Sequence, residues 1–269
     1  VISGIAWDHI NVFPTFDNYV KQFEIFADTV EPNGTLIYFD GDAEVAKIGE
    51  NFKYNKIAYN VHPNKCVDGI TFLLNDGNEY PLEIFGDHNL QNLNASLEIC
   101  LGLGLTKEQF YQSIQTFKGA SRRLELIDKN SSCSIFKDFA HSPSKLKATS
   151  SAVKKQFTNR KLIACMELHT FSSLNEEFLR EYANTMDLPD EAFVYFNPQT
   201  IAHKKLKKIS KEQVFNCFNR SDLRVFTSSD EFVKELKSRS WENSNLLLMS
   251  SGNFDGVDFN ELVDRKSVV

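Results

Sequence analysis

Six polar clusters carry the residue types from which binding sites and catalytic sites are built. His88-Asn89-x-x-Asn92 sets two carboxamides about one helical turn apart on one face. A carboxamide both donates and accepts, which suits the edge of an adenine ring; spacing alone favours residues that cap the helix and turn into solvent. Arg122-Arg123 offers planar forks for phosphate oxygens, or is an ordinary surface pair. Asp138 and His141 share the run Asp138-Phe139-Ala140-His141-Ser142-Pro143. There a carboxylate could bond sugar hydroxyls and a neutral imidazole could orient or deprotonate an amine, although alone either is more often a structural hydrogen-bonding group. Asp8-His9 reads by itself as a polar loop. Glu167-Leu168-His169-Thr170-Phe171-Ser172-Ser173 follows an apolar run, and Ser250-Ser251-Gly252-Asn253-Phe254-Asp255-Gly256 carries glycines that admit close backbone approach or simply open a helix.

Taken in order, Gly86-Asp87-His88-Asn89-Leu90-Gln91-Asn92-Leu93-Asn94-Ala95, Phe117-Lys118-Gly119-Ala120-Ser121-Arg122-Arg123-Leu124-Glu125 and Asp138-Phe139-Ala140-His141-Ser142-Pro143 resemble the Mur ligase family. These are ATP-dependent amide-forming enzymes of bacterial cell-wall precursor synthesis. The resemblance runs from Asp8-His9 to the 250–256 loop. It implies an enzyme using ATP and Mg2+, in which a carboxylate attacks the γ-phosphate to give an acyl phosphate and an amine then displaces phosphate. It assigns adenine to Asn92 with Asn89 beside it, nucleotide phosphate to Arg123, the nucleotide to Asp138, and a magnesium ligand to His9. It also implies that Phe139, His141, Ser142, His169 and Thr170 face the amine substrate, with Arg123 and His141 in catalytic roles.

Within the family, Arg-Arg-Leu-Glu and Asp-Phe-Ala-His are most similar to the branch that joins UDP-N-acetylmuramate to a tripeptide recovered from old wall. The alternative is the sibling that attaches L-alanine. The 167–173 loop departs from both patterns, because Thr170 stands where the alanine-adding branch has Arg. A reading from another class is a non-catalytic nucleotide-binding module. A dinucleotide oxidoreductase is disfavoured, since no Gly-x-Gly-x-x-Gly opens a helix. Nor does Gly-x-x-x-x-Gly-Lys-Ser/Thr occur, so the expectation is the later part of a larger enzyme, inactive alone.

Charge and composition narrow the classes. Net charge is −6, from 30 basic and 36 acidic residues, which argues against a nucleic-acid surface. Lys204-Lys205-Leu206-Lys207-Lys208 reads as a solvated helix face or loop. No apolar run approaches the roughly 20 residues that span a bilayer, so no membrane partner is expected. Cysteines 66, 100, 133, 165 and 217 show no paired spacing; scattered thiols fit a reducing cytoplasm.

The elements that must position these clusters follow from periodicity. The fold expected is α/β: a partial central ATPase domain of Mur ligase type over residues 1–122, then a Rossmann-like, mostly parallel domain over 123–269. In the first part, 1–5 reads as a buried strand, 16–30 as an amphipathic helix, and 36–39, 56–60, 69–74 and 79–85 as strands, with a hairpin at Asp76-Gly77. Helices are expected over 88–102 and 106–117, the second capped by Thr106. In the second part, apolar strands near 134–136, 162–166, 192–196, 224–226 and 246–249 alternate with helices near 143–157, 173–185, 211–218 and 229–239. Such alternation gives a parallel sheet whose ligands meet the loops at the strands' carboxyl ends.

Overall fold

Side-chain caps at Thr15, Asp42 and Thr106 open three helices of the first unit. In a computed structural model that describes residues 1–259, the chain divides into two units, Val1–Lys118 and Gly119–Val269. Thr15 accepts from the Asn18 N–H and opens helix α1 (Phe16–Asp28). Strand β1 (Thr35–Phe39) pairs in parallel with β2 (Asn55–Tyr59) around helix α2 (Ala43–Asn51). Asp42 caps α2 by accepting from Glu44 and Val45 N–H groups. The same carboxylate accepts from Ile5 N–H at 2.9 Å. That bond corrects one expectation: residues 1–5 form a single bridge, Ile2 to Tyr38, rather than a strand. Ile2 exchanges its bonds with Ile37 O and Phe39 N–H, and beyond it the backbone is tied at Ile5 to the cap of α2 instead.

Strands β3 (Asn64–Val67), β4 (Ile70–Asn75) and β5 (Asn78–Leu82) make an antiparallel meander. At its Asp76-Gly77 turn both residues have positive φ, 48° and 78°, the geometry whose twist suits a two-residue hairpin. Helix α3 (Asp87–Gly102) follows, then α4 (Lys107–Ile114), which Thr106 and Gln109 close with a reciprocal capping box. Leu73, Leu82, Leu90, Leu93 and Tyr111 form the core between this meander and these helices.

The second unit is one six-stranded sheet. It comprises β6 (Glu125–Lys129), β7 (Cys133–Asp138), β8 (Lys161–Glu167), β9 (Glu191–Tyr195), β10 (Arg224–Phe226) and β11 (Ser244–Met249). The spatial order is β10-β9-β8-β11-β7-β6, parallel throughout except for the antiparallel edge strand β6. The crossovers carry helices α5 (Pro143–Gln156), α6 (Pro198–His203), α7 (Lys211–Phe218) and α8 (Ser229–Lys237). Every residue of β11 is buried, as expected for a central strand covered on both faces. Ile163, Phe193, Leu246 and Leu248 anchor the core, each burial stabilising by about 1.5–3 kcal/mol.

The helix expected over 173–185 is instead a short 3-10 turn, Phe178–Tyr182, preceded by turns. Local polar side chains explain the difference. Thr170 Oγ1 accepts from Ser173 N–H at 3.0 Å, and Asn175 Oδ1 accepts from Glu177 N–H at 2.9 Å. Such bonds compete with the helical ladder.

Candidate functional site

Strands β8, β11 and β7 are neighbours, and their register sets Met166, Met249 and Asp138 level with one another. Their carboxyl ends therefore deliver three loops side by side: 139–142 after β7, 168–173 after β8 and 250–256 after β11. Ser250 N–H donates to Asp138 O at 2.9 Å, joining the first to the third.

The loop after β7 is folded onto the Arg pair. Asp138 is buried; its Oδ2 accepts from Leu124 N–H at 2.7 Å, and its Oδ1 accepts from Ala140 N–H at 2.7 Å and from the Thr149 hydroxyl at 3.3 Å. Phe139 N–H donates to Arg122 O at 2.8 Å. These bonds clamp a turn in which Arg122 and Leu124 both lie in the left-handed region, at φ 58° and 47°. Such strain persists only where surroundings over-determine it. The turn projects Arg123, whose guanidinium lies 5.5 Å from the Phe139 ring centroid. Asp138 thus already holds the turn that carries Arg123. A carboxylate has about four acceptor positions, so a ligand hydroxyl would take what the three donors leave.

His141 is buried, with Nδ1 at 2.8 Å from Phe139 O. A carbonyl only accepts, so Nδ1 carries the proton. Its own carbonyl accepts from the Tyr182 hydroxyl. Ser142 is the buried residue before α5, where Pro143 supplies the fixed φ of a first helical position.

The loop after β8 centres on two residues of different standing. Thr170 is bound within its own turn: its hydroxyl reaches Ser173 Oγ at 2.9 Å and accepts from Ser173 N–H. His169 is open to solvent along one edge, and its Nδ1 lies 3.4 Å from Glu167 Oε1. Burial raises the Glu167 carboxyl, but bonds from His169, the Ser250 hydroxyl and the Phe254 N–H outweigh it and hold the group below the usual carboxylate range. Sequence reading did not single out Glu167 as a site residue. Its signal was a lone carboxylate closing the buried run of β8, visible only as a loop neighbour of His169.

The remaining candidates lie in the first unit. Asn89 donates its amide to Phe85 O at 2.9 Å, which ties it to the start of α3. Asn92 is exposed on the same helix. His9 is exposed at φ 55°, its N–H donating to Asp8 Oδ1 at 2.7 Å. Among the described residues no group of three or more His, Cys, Asp or Glu side chains gathers as for a metal. His9 supplies one ligand at most, so the residues here do not by themselves compose a magnesium site. Thus Arg123, Asp138, Phe139, His141 and Ser142 come together around the end of β7, His169 and Thr170 flank the end of β8, and His9, Asn89 and Asn92 belong to the other unit.

All five cysteines are free thiols, with Cys133 and Cys165 buried. No described helix is long and apolar enough to cross a membrane.

Residues 122–252 match the family described as Mur ligase, glutamate ligase domain. A UDP-N-acetylmuramate–L-alanine ligase of Desulfitobacterium hafniense is 27% identical over 205 residues, covering 72% of this chain and 45% of that protein. The crystal structure of a UDP-N-acetylmuramate-alanine ligase, MurC, from Thermotoga maritima superposes at a TM-score of 0.70 with 16% identity, over 99% of this chain and 59% of that one. The MurF ligase of Thermotoga maritima in complex with ADP gives a TM-score of 0.69 at 14% identity, over 94% of this chain and 59% of that one. The mixed α/β architecture with its mostly parallel sheet is therefore the fold of these ligases. The chain spans about half the length of the relatives it matches.

Proposed function

We propose that this chain, which carries a Mur ligase C-terminal domain, is the nucleotide- and amine-handling part of an ATP-dependent ligase that forms an amide on a UDP-N-acetylmuramate-type carboxylate. One observation carries the reading: the clamped 122–124 turn aims a guanidinium beside the loop that holds His141. An Arg carried on a clamped turn beside the loop that holds an imidazole suits a phosphorylated acyl group meeting an amine. The Arg offsets charge on phosphoryl oxygens. His141 and Ser142 orient the amine. Asn92, with Asn89, takes the adenine edge, and Asp138 both holds the turn and offers its remaining acceptor capacity to the nucleotide. His9 would give magnesium one ligand, the others coming from phosphate and water.

For the amine, the named relatives support L-alanine over the tripeptide that the local motifs suggested. We therefore take L-alanine ligation as the leading reading. The tripeptide reading keeps one specific support: Thr170 is tied into its own turn and offers no fork for a free amino acid's carboxylate. The test uses the natural polypeptide that carries residues 1–269. It is supplied with UDP-N-acetylmuramate, ATP and magnesium, and ADP release is compared with each amine. The expected result is amine-dependent ADP release with a higher kcat/KM for L-alanine. A higher value for L-alanyl-γ-D-glutamyl-diaminopimelate would reverse the substrate assignment, and ADP binding without amine-dependent turnover would favour a non-catalytic nucleotide-binding module.

A further inference from the structure

Glu167 is a buried carboxylate at the end of β8 to which the proposed chemistry gives no task. Its two oxygens are used differently. Oε2 accepts from the Ser250 hydroxyl and from Phe254 N–H at 2.8 Å. Those bonds fasten the 250–256 loop, in which Phe254 and Asp255 hold left-handed φ values of 52° and 62°. Oε1 is left to His169, 3.4 Å from Nδ1. That separation is long for an N–H···O bond, and hydrogen bonds of catalytic pairs tighten when substrate binds. Gly252 packs on the same pair: a Cβ there would lie 2.8 Å from both Glu167 Oε2 and His169 Cγ. The imidazole is therefore gripped at its Nδ1 edge, while 37% of the side chain stays exposed. Among the described residues no partner bonds Nε2.

We propose that Glu167 is a positioning residue for the amine half of the ligation. It holds His169 as the Nδ1–H tautomer, so that Nε2 keeps its lone pair and takes a proton from the incoming ammonium group. The role in ligation rests on the function proposed above; the tautomer does not. In the proton transfer an ammonium N–H bond breaks, its electron pair stays on nitrogen, and the proton joins Nε2. The resulting imidazolium faces the Glu167 carboxylate, as in other carboxylate–imidazole pairs. The freed amine pair then forms the C–N bond at the acyl carbon, phosphate leaves with the C–O pair, and the remaining surplus proton departs with it. With a neutral imidazole the pair carries one negative charge, which draws an ammonium rather than a carboxylate.

The experiment is nitrogen NMR of the 269-residue chain labelled at its six histidines, at a pH where imidazoles are neutral. His169 is assigned by the signal missing in His169→Gln. The wild type should show His169 protonated at Nδ1. Glu167→Gln should reverse this. Its single amide oxygen is claimed by the Ser250 and Phe254 donors, so its NH2 faces Nδ1 and moves the proton to Nε2. Glu167→Asp, which keeps two acceptor oxygens, should retain Nδ1–H. A wild-type His169 protonated at Nε2, or a Glu167→Gln spectrum without the switch, overturns the proposal. The wild-type signal decides even where a variant fails to fold. In the natural polypeptide, Glu167→Gln should lower kcat roughly 10²-fold, more than it raises the amine KM, and Glu167→Asp should recover part of the loss. Unchanged kcat would refute the catalytic half, whereas absent ligation in the wild type refutes the function and leaves the tautomer result standing.

Discussion

At the scale of the residue, Arg123 shows how little of a side chain's role its type conveys. Its guanidinium is presented by a turn with two left-handed residues, and that turn exists because Asp138 Oδ2 accepts from Leu124 N–H. Arg123→Ala in the natural polypeptide should leave the fold intact, since the Arg contributes a ring contact with Phe139 rather than core packing. It should reduce ligation by roughly 2.7–4 kcal/mol of transition-state stabilisation, the usual loss for one charged or oxyanion donor. Arg123→Lys should restore only part, because an ammonium lacks the bidentate fork. Steady-state kcat and nucleotide affinity check this. Near-normal values for Arg123→Ala would return Arg123 to an ordinary surface residue.

At the scale of the element, the carboxyl ends of β8 and β11 are joined by a contact that tolerates no added atom. Gly252→Ala forces a Cβ to within 2.8 Å of Glu167 Oε2 and His169 Cγ. Glu167 does not yield readily, because it is buried and held by Ser250 and Phe254. The expected cost is about 1–3 kcal/mol, typical of overpacking. Gly102→Ala is the matched control. It closes α3 with nothing within 4 Å of the added Cβ, so it should be neutral or stabilise by about 0.4–1 kcal/mol. The urea midpoint should fall for Gly252→Ala and hold or rise for Gly102→Ala. Equal shifts would mean that the strand-end contact is looser than the geometry states.

At the scale of the whole molecule, the 269 residues hold no glycine-rich phosphate loop with its Lys, the device that cradles β- and γ-phosphates. The chain by itself should therefore release no phosphate from ATP in the presence of magnesium, UDP-N-acetylmuramate and either amine. It should retain weak ADP binding, further weakened by Asn92→Ala. Calorimetry and a phosphate-release assay check both statements. Turnover above background would show that these residues suffice for phosphoryl transfer without that loop.

Much of the secondary structure was legible because its causes are local. The Asp76-Gly77 hairpin, the Thr106 cap and the apolar strands of the second unit follow from turn chemistry, capping and short buried runs. The polar clusters at 138–142 and 167–173 were legible as strand-end loops for the same reason, since strand–helix alternation sends such loops to the carboxyl edge. What those side chains do was not legible. Thr170 spends its hydroxyl on its own turn, Asn89 on Phe85 O, and Asp138 on a backbone N–H fourteen residues earlier. Side-chain competition also dissolved the helix expected over 173–185, and residues 1–5 keep one bridge to β1 while Ile5 is tied to Asp42. Above all, β11 inserts between β7 and β8, so residues 167 and 250 meet although 83 positions separate them. Periodicity fixes which face of an element is buried, but only the order of strands in the sheet decides which strand ends are neighbours. The pairing of Glu167 with Ser250, Gly252 and His169 therefore belongs to the tertiary structure alone.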